Sequence, residues 1–322
     1  MGNIVSTIRQ LRLFGLSDKL KAAKTLRGPT LHQAPKRGNR ASMSHVAQSF
    51  LRGLLVVAFV LLPAMLLPGI SQDVAQAATL IALISGAVVM AEYAAAYPGL
   101  IEFRDAKPYN RLRFGMLVAV VLVLAVLQRG VTAGDPGVLG AVALWLAGAF
   151  DFSFSPIRLL VLSLPQGLPV EHLLNVMASA ALAFVMCFFG LLLFVGTMLM
   201  KYWPAKGSSF NVWINLPNFD PTKGVDVVQR LERDAQINVM LGVVLPFSLP
   251  VLLHLSSLLV QPLTFENSLT LVWGVAFWAF IPFSLIMRGI AMYRVTQLIR
   301  AQRRRIAEEE AAVPLPARSA YT

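Results

Sequence analysis

"GVLGAVALWLAGAFDFSFSPIRLLVLSLPQGLPV", residues 137–170, is the stretch on which the topology of this chain turns. Its first half is apolar for only 14 residues before Asp151, and its second offers eight apolar-rich positions between Pro156 and Pro165. About 20 apolar residues are needed to carry a helix across ~30 Å of hydrocarbon, so neither half is a comfortable span. The stretch either crosses once or dips in and returns, and that choice sets the sidedness of everything after it.

Charge decides between the two. Around 137–170 the spanning candidates are 52–71, 76–97, 114–128, 172–200, 238–260 and 268–292. Lys and Arg gather on cytoplasmic flanks. If 137–170 is a re-entrant hairpin, 26 of the 28 Lys and Arg fall on one face, leaving Arg129 and Arg158 on the other. If 137–153 crosses fully, the split becomes 15 against 13. The six-span reading follows, with both termini cytoplasmic. Tyr93, Tyr97, Tyr202, Trp203 and Tyr293 then lie near the inner interface, where amphipathic rings prefer to sit. The third candidate is short, with Arg113 and Gln128 placed to snorkel at its ends.

Composition agrees. Hydrophobic residues are 57% of the chain and charged ones 14%, with a mean hydropathy of +0.67. A soluble domain of 322 residues could not cover that much apolar surface. In a multi-span chain the net charge of +12 points to an anionic membrane face, not to nucleic acid. A single cysteine, Cys187, excludes an intrachain disulfide framework. No signal peptide is evident, and "MGNIVS" matches a myristoylation signature only loosely.

Three regions follow. Residues 1–47 are a cytoplasmic segment: 1–27 have basic amphipathic composition, and 28–45 read as a Gly/Pro/Ser-punctuated linker. Residues 48–293 are the transmembrane bundle, interrupted by a cytoplasmic element at 201–237. There "FNVWINL" (210–216) alternates like a strand, and Asp220-Pro221 can open an amphipathic helix leading into the fifth span. Residues 294–322 form a charged helix, running without a breaker as far as Pro314, and a tail. The fold class is an all-α polytopic membrane protein with six transmembrane helices and a re-entrant helical hairpin. Its expected place is the bacterial cytoplasmic (inner) membrane.

Ionisable residues inside spans are costly, so they lead the search for a site. Glu92 and Arg288 both fall in the inner leaflet and are expected to pair as a structural clamp; the alternative is that each snorkels alone. His254 has the neutral imidazole that a haem or chlorophyll-type macrocycle needs, against a plainer role bonding Ser256, Ser257 or a carbonyl. Asp151, Ser153, Ser155 and Arg158 cluster at the turn of 137–170 as a transport site, or as a hairpin tip whose two charges neutralise each other. Trp213, Arg303, Arg304 and Arg305 offer a partner surface. The motifs of zinc peptidases, serine hydrolases, phosphate-binding loops and dithiol enzymes are all missing, so the reading leans away from an enzyme. A membrane enzyme acting on lipid through an unrecognised site is left open, and no metal or cofactor is expected. The expected partners are anionic lipid at the cytoplasmic face and another membrane protein. This distribution suits a scaffold or assembly factor docking a membrane or cytoplasmic partner. A small-solute or ion transporter built on 137–170 and the Pro-kinked span 238–260 is the alternative.

Overall fold

The computed structural model describes residues 38–96, 99–104, 106–200, 215–216, 226–257, 259 and 263–312. The chain divides into two units, Met1–Ala47 and Gln48–Thr322. Of the first, only the opening turns of a helix that continues into the second are described. The elements are α1 (Gly38–Leu66), α2 (Gln72–Ala94), α3 (Lys107–Thr132), α4 (Gly137–Ala149), α5 (Pro156–Leu162), α6 (Val170–Leu199), α7 (Val227–Ser256) and α8 (Ser268–Ala312). No strand occurs among the described residues. Six helices are long and apolar enough to cross a membrane, and the chain is an integral, multi-pass membrane protein.

Local chemistry sets the helix ends. Gly69, at φ 73°, turns the chain beyond Pro68, and the Ser71 hydroxyl then accepts the Val74 N–H at the start of α2. Pro108 and Pro156 stand in the first turns of α3 and α5, where a missing N–H costs nothing. Glu171, in the first turn of α6, complements that helix dipole.

The helices pack through small residues. Gly53 of α1 meets Gly86 of α2, and a Cβ on either would strike the other's backbone. Gly242 of α7 lies against Pro282 and Ile286 of α8, and Gly289 of α8 against Ala235 and Val239 of α7. Without a hydrophobic drive between helices in lipid, such close approach is what holds spans together. The centre of the bundle is α6, buried continuously from Val176 to Ala183, beside the buried face of α8 that includes Val275, Ala279 and Met287.

Contacts along the helices fix their directions. Tyr109 touches Phe194, and Gln128 touches Asn175, so α3 and α6 run antiparallel. The segment 133–169 therefore leaves and returns to one end of the bundle. At the other end lie Gln48 and Arg52 of α1, the α2–α3 connection, the start of α7 and the far half of α8. This is called the basic end below, for Arg52, Arg104, Arg111 and Arg113.

Several boundaries differ from the sequence reading. The helix expected to begin at residue 52 begins at Gly38, so 38–45 is helical and not linker. It stops at Leu66, because Pro68 and Gly69 end it. The short third span is a helix of 26 residues: the charged turn before Arg113 joins it. Gln128 does not snorkel. It is 2% exposed, donates from Nε2 to Asn175 (3.0 Å) and Ser179 (2.9 Å), and accepts from Asn175 Nδ2 at 3.0 Å. The amphipathic helix expected to lead into the fifth span is, from Val227, one continuous helix with it in α7. Asn215, placed in a strand by its alternation, is helical. The proposed amphipathic region 1–27, the Asp220-Pro221 cap and most of the 201–225 stretch lie outside the described residues.

Candidate functional site

The turn of 137–170 is built by two helices too short to span. α4 descends 13 residues from Gly137, and its last neighbour, Phe150, packs edge-on against Phe184, 6.1 Å between centroids. Phe184 is the fifteenth residue of the 30-residue α6, roughly 21 Å from its start at 1.5 Å per residue. The tip between α4 and α5 therefore sits at mid-height of the bundle. There Arg158 Nη1 lies 3.3 Å from Asp151 Oδ1, and the two side chains are 45% and 55% exposed. Phe152 and Phe154 beside them are 53% and 83% exposed. Phe154 adopts φ 66°, a left-handed conformation that bulky residues rarely hold. Ser153 is exposed, whereas Ser155 is buried and its Oγ has no hydrogen-bond partner among the described residues. The structure thus pairs the two charges and sends the two hydroxyls to opposite surroundings.

Glu92 and Arg288 are not joined. Arg288 makes a two-pronged contact with Glu102, its Nη2 2.8 Å from Oε1 and its Nε on Oε2, with side-chain exposures of 27% and 14%. Glu92 instead stays on its own hairpin: one oxygen accepts the N–H groups of Gly99 (2.9 Å), Leu100 (2.8 Å) and Ile101 (3.2 Å). Arg104 answers from the other direction, donating to the Ala95 carbonyl at 2.6 Å. The α2–α3 connection is therefore stitched by a carboxylate that satisfies loop donors and a guanidinium that satisfies the last carbonyls of α2. Sequence reading missed Glu102 because it lies in that connection, 186 positions from its partner.

This stitching shapes a cavity of about 630 Å³ between α1, α2 and α3 at the basic end. Its polar wall is Gln48, Arg52, Arg104, Asn110, Arg111 and Arg113. The Arg52 guanidinium stacks 4.2 Å over the Tyr93 ring, and that of Arg113 lies 5.9 Å from Tyr109 and 5.8 Å from Phe280. The deeper wall is apolar: Leu55 and Val56 of α1, Val89 of α2, Leu117 of α3. Among the described residues no carboxylate lines it. Net positive charge at this end was legible in the sequence; the convergence of arginines from α1, α3 and the loop between α2 and α3 was not.

The remaining candidates stay apart. His254 is exposed on α7, and its carbonyl accepts the Ser257 hydroxyl at 2.6 Å. Among the described residues no cluster of His, Cys, Asp and Glu could hold a metal ion. Arg303 is taken by Asp226, with Nη2 2.7 Å from Oδ1, and Arg300 by Glu232 at 2.6 Å. Arg304 and Arg305 stay exposed, and Trp213 lies outside the described residues. Set against known protein families, curated proteins and solved structures, the chain matches none.

Proposed function

We propose that this protein is a scaffold or assembly factor of a bacterial cytoplasmic membrane, with the basic end and both termini inside, and that it docks another membrane protein against the tip of the re-entrant hairpin. The observation that carries this reading is the Asp151–Arg158 pair, left open beside Phe152 and Phe154 at mid-height of the bundle. Whatever the vertical placement of α6, about 45 Å long against ~30 Å of hydrocarbon, its midpoint falls within the apolar layer. Charges there are costly unless they face protein or water, and a partner's polar groups facing the tip remove that cost. The antiparallel course of α3 and α6 supports the hairpin, and the clustering of arginines at one end supports its sidedness.

A photo-crosslinking residue at Phe154 tests the proposal in intact membranes, with Leu80, another exposed apolar position, on α2, as the control. A protein adduct of discrete mass is expected from position 154 and not from position 80. It should disappear in the double variant Asp151→Leu/Arg158→Leu. Lipid adducts alone at position 154 would overturn the docking role. The broken helices at the tip also favour a second reading, a solute or ion path. Under it, Asp151→Asn would abolish solute flux in vesicles while no protein adduct forms at all.

A further inference from the structure

We infer that the cavity at the basic end is a binding site for the phosphate head of an anionic membrane lipid. The inference does not rest on the docking role of the hairpin tip. It rests on a gradient repeated on three helices. Along α1, Gln48 and Arg52 are followed one turn deeper by Leu55 and Val56; along α2, Tyr93 is preceded by Val89; along α3, Asn110, Arg111 and Arg113 are followed by Leu117. Each helix presents its polar residues at the basic end and its apolar residues toward the bundle interior. A soluble anion would have no use for the second half of that wall. A lipid, whose charged head continues into a hydrocarbon chain, uses both.

Charge selects the head. Arg52, Arg111 and Arg113 line the cavity with no carboxylate among the described lining residues; Arg104 beside them spends its guanidinium on the carbonyls of α2. Glu102 is paired with Arg288, and Glu92, held by the loop N–H groups, offsets Arg104, which leaves Arg52, Arg111 and Arg113 to set the charge of the wall. Arginine forks suit phosphate oxygens, binding them two at a time. Tyr93 and Phe280 hold the Arg52 and Arg113 guanidinium groups over their ring faces, a contact that uses the charge and not the N–H donors. A volume of about 630 Å³ admits a head group with the first carbons of its chain.

The test is retention of lipid by the full-length protein, delipidated in detergent and read by native mass spectrometry. Three probes are titrated: phosphatidylglycerol, phosphatidylcholine and inorganic phosphate. Phosphatidylglycerol is expected to bind at least about tenfold more tightly than either of the others, because the arginines repel the choline ammonium of phosphatidylcholine and inorganic phosphate has no chain for the apolar wall. Arg52→Gln/Arg111→Gln should erase that preference, whereas Arg304→Gln/Arg305→Gln, on the exposed far part of α8, should leave it intact. Val56→Trp, which fills the apolar wall and spares every charge, should weaken phosphatidylglycerol at least about tenfold without changing inorganic phosphate. Equal affinity for the two lipids overturns the inference, as does equal loss from both arginine pairs. Binding of inorganic phosphate as tight as that of phosphatidylglycerol would replace the lipid site with a free-anion site. Thermal midpoints of the variants within a few degrees of the parent assign any loss to the site and not to the fold.

Discussion

At the scale of single residues, the two-pronged contact between Arg288 and Glu102 is the interaction with most at stake. Both groups are largely withdrawn from solvent, so removing one strands the other in a poor dielectric. Breaking such a pair costs more than replacing it whole. Arg288→Met and Glu102→Gln should each lower stability by about 2–3 kcal/mol, discounted from the fully buried case for their residual exposure. The double variant should recover part of that loss in thermal denaturation. Glu92→Gln, by contrast, should show no coupling to Arg288, because its oxygen serves the N–H groups of 99–101. The sequence placed Glu92 and Arg288 at similar depth, and depth alone made them candidates for each other. What decided otherwise was a loop that folds Glu102 back under α8, a geometry with no periodic signature. The amide exchange of Gln128 with Asn175 was equally hidden. An amide near the end of an apolar run looks the same whether it reaches for water or for another helix. Gln128→Leu removes both arms of that exchange and leaves the Asn175 amide unpaired inside the bundle. The expected loss is about 1 kcal/mol, measured by the same denaturation.

Among the elements, α7 and α8 form a pair that outlasts the membrane. α8 is 45 residues long, about 68 Å against ~30 Å of hydrocarbon, and its distal half is tied to the start of α7 by Arg300–Glu232 and Arg303–Asp226. Within the bundle the two helices meet at Gly242 and Gly289, with no room for a side chain. Gly242→Leu should therefore separate them, costing at least about 2 kcal/mol and shortening protease lifetime in detergent. The outer clasp has a pH signature. Arg303 beside Asp226 holds that carboxyl below its usual range, so the folded form is the better acid. Its contribution is present above about pH 4 and is lost as pH falls through the lowered value. Protection factors of the amides around 300–308, corrected for the intrinsic exchange rate at each pH, should fall at the acid end in the parent and be low at every pH in Asp226→Asn. Helices such as these were readable wherever an apolar run exceeded the bilayer thickness. Hydropathy alone does not mark their ends, because an apolar run covers only the part within hydrocarbon. Amphipathic spacing announced the polar start of α7 and the unbroken run to Pro314 the far end of α8, but Lys107–Arg113 is helical through a polar turn that was read as a loop.

At the scale of the whole molecule, six apolar runs were legible as six helices long enough to cross, and arginine and lysine placement favours the six-span topology, 26 to 2 against 15 to 13. The structure adds an independent geometric support. Arg113 of α3 reaches Phe280 of α8, and Arg288 reaches back to Glu102, so the distal half of α8 returns to the end where α1 and α3 begin. What charge counting could not reveal is how the hairpin ends: a tip buried at Ser155 and Ile157 but open at Asp151 and Phe154. Hydropathy treats an ion pair as two penalties and has no term for what covers it. Sidedness itself is open to direct measurement. Single cysteines at Gly134 and at Arg305, in a Cys187→Ala background, report opposite ends of the bundle. In right-side-out vesicles an impermeant maleimide should label position 134, and position 305 only after the membrane is lysed. Position 154 supplies the third arm. If the tip lies in hydrocarbon under a partner, its cysteine should resist the aqueous reagent in both conditions. A site lining a water-filled path would react without lysis, and that result would move the proposal from docking to transport.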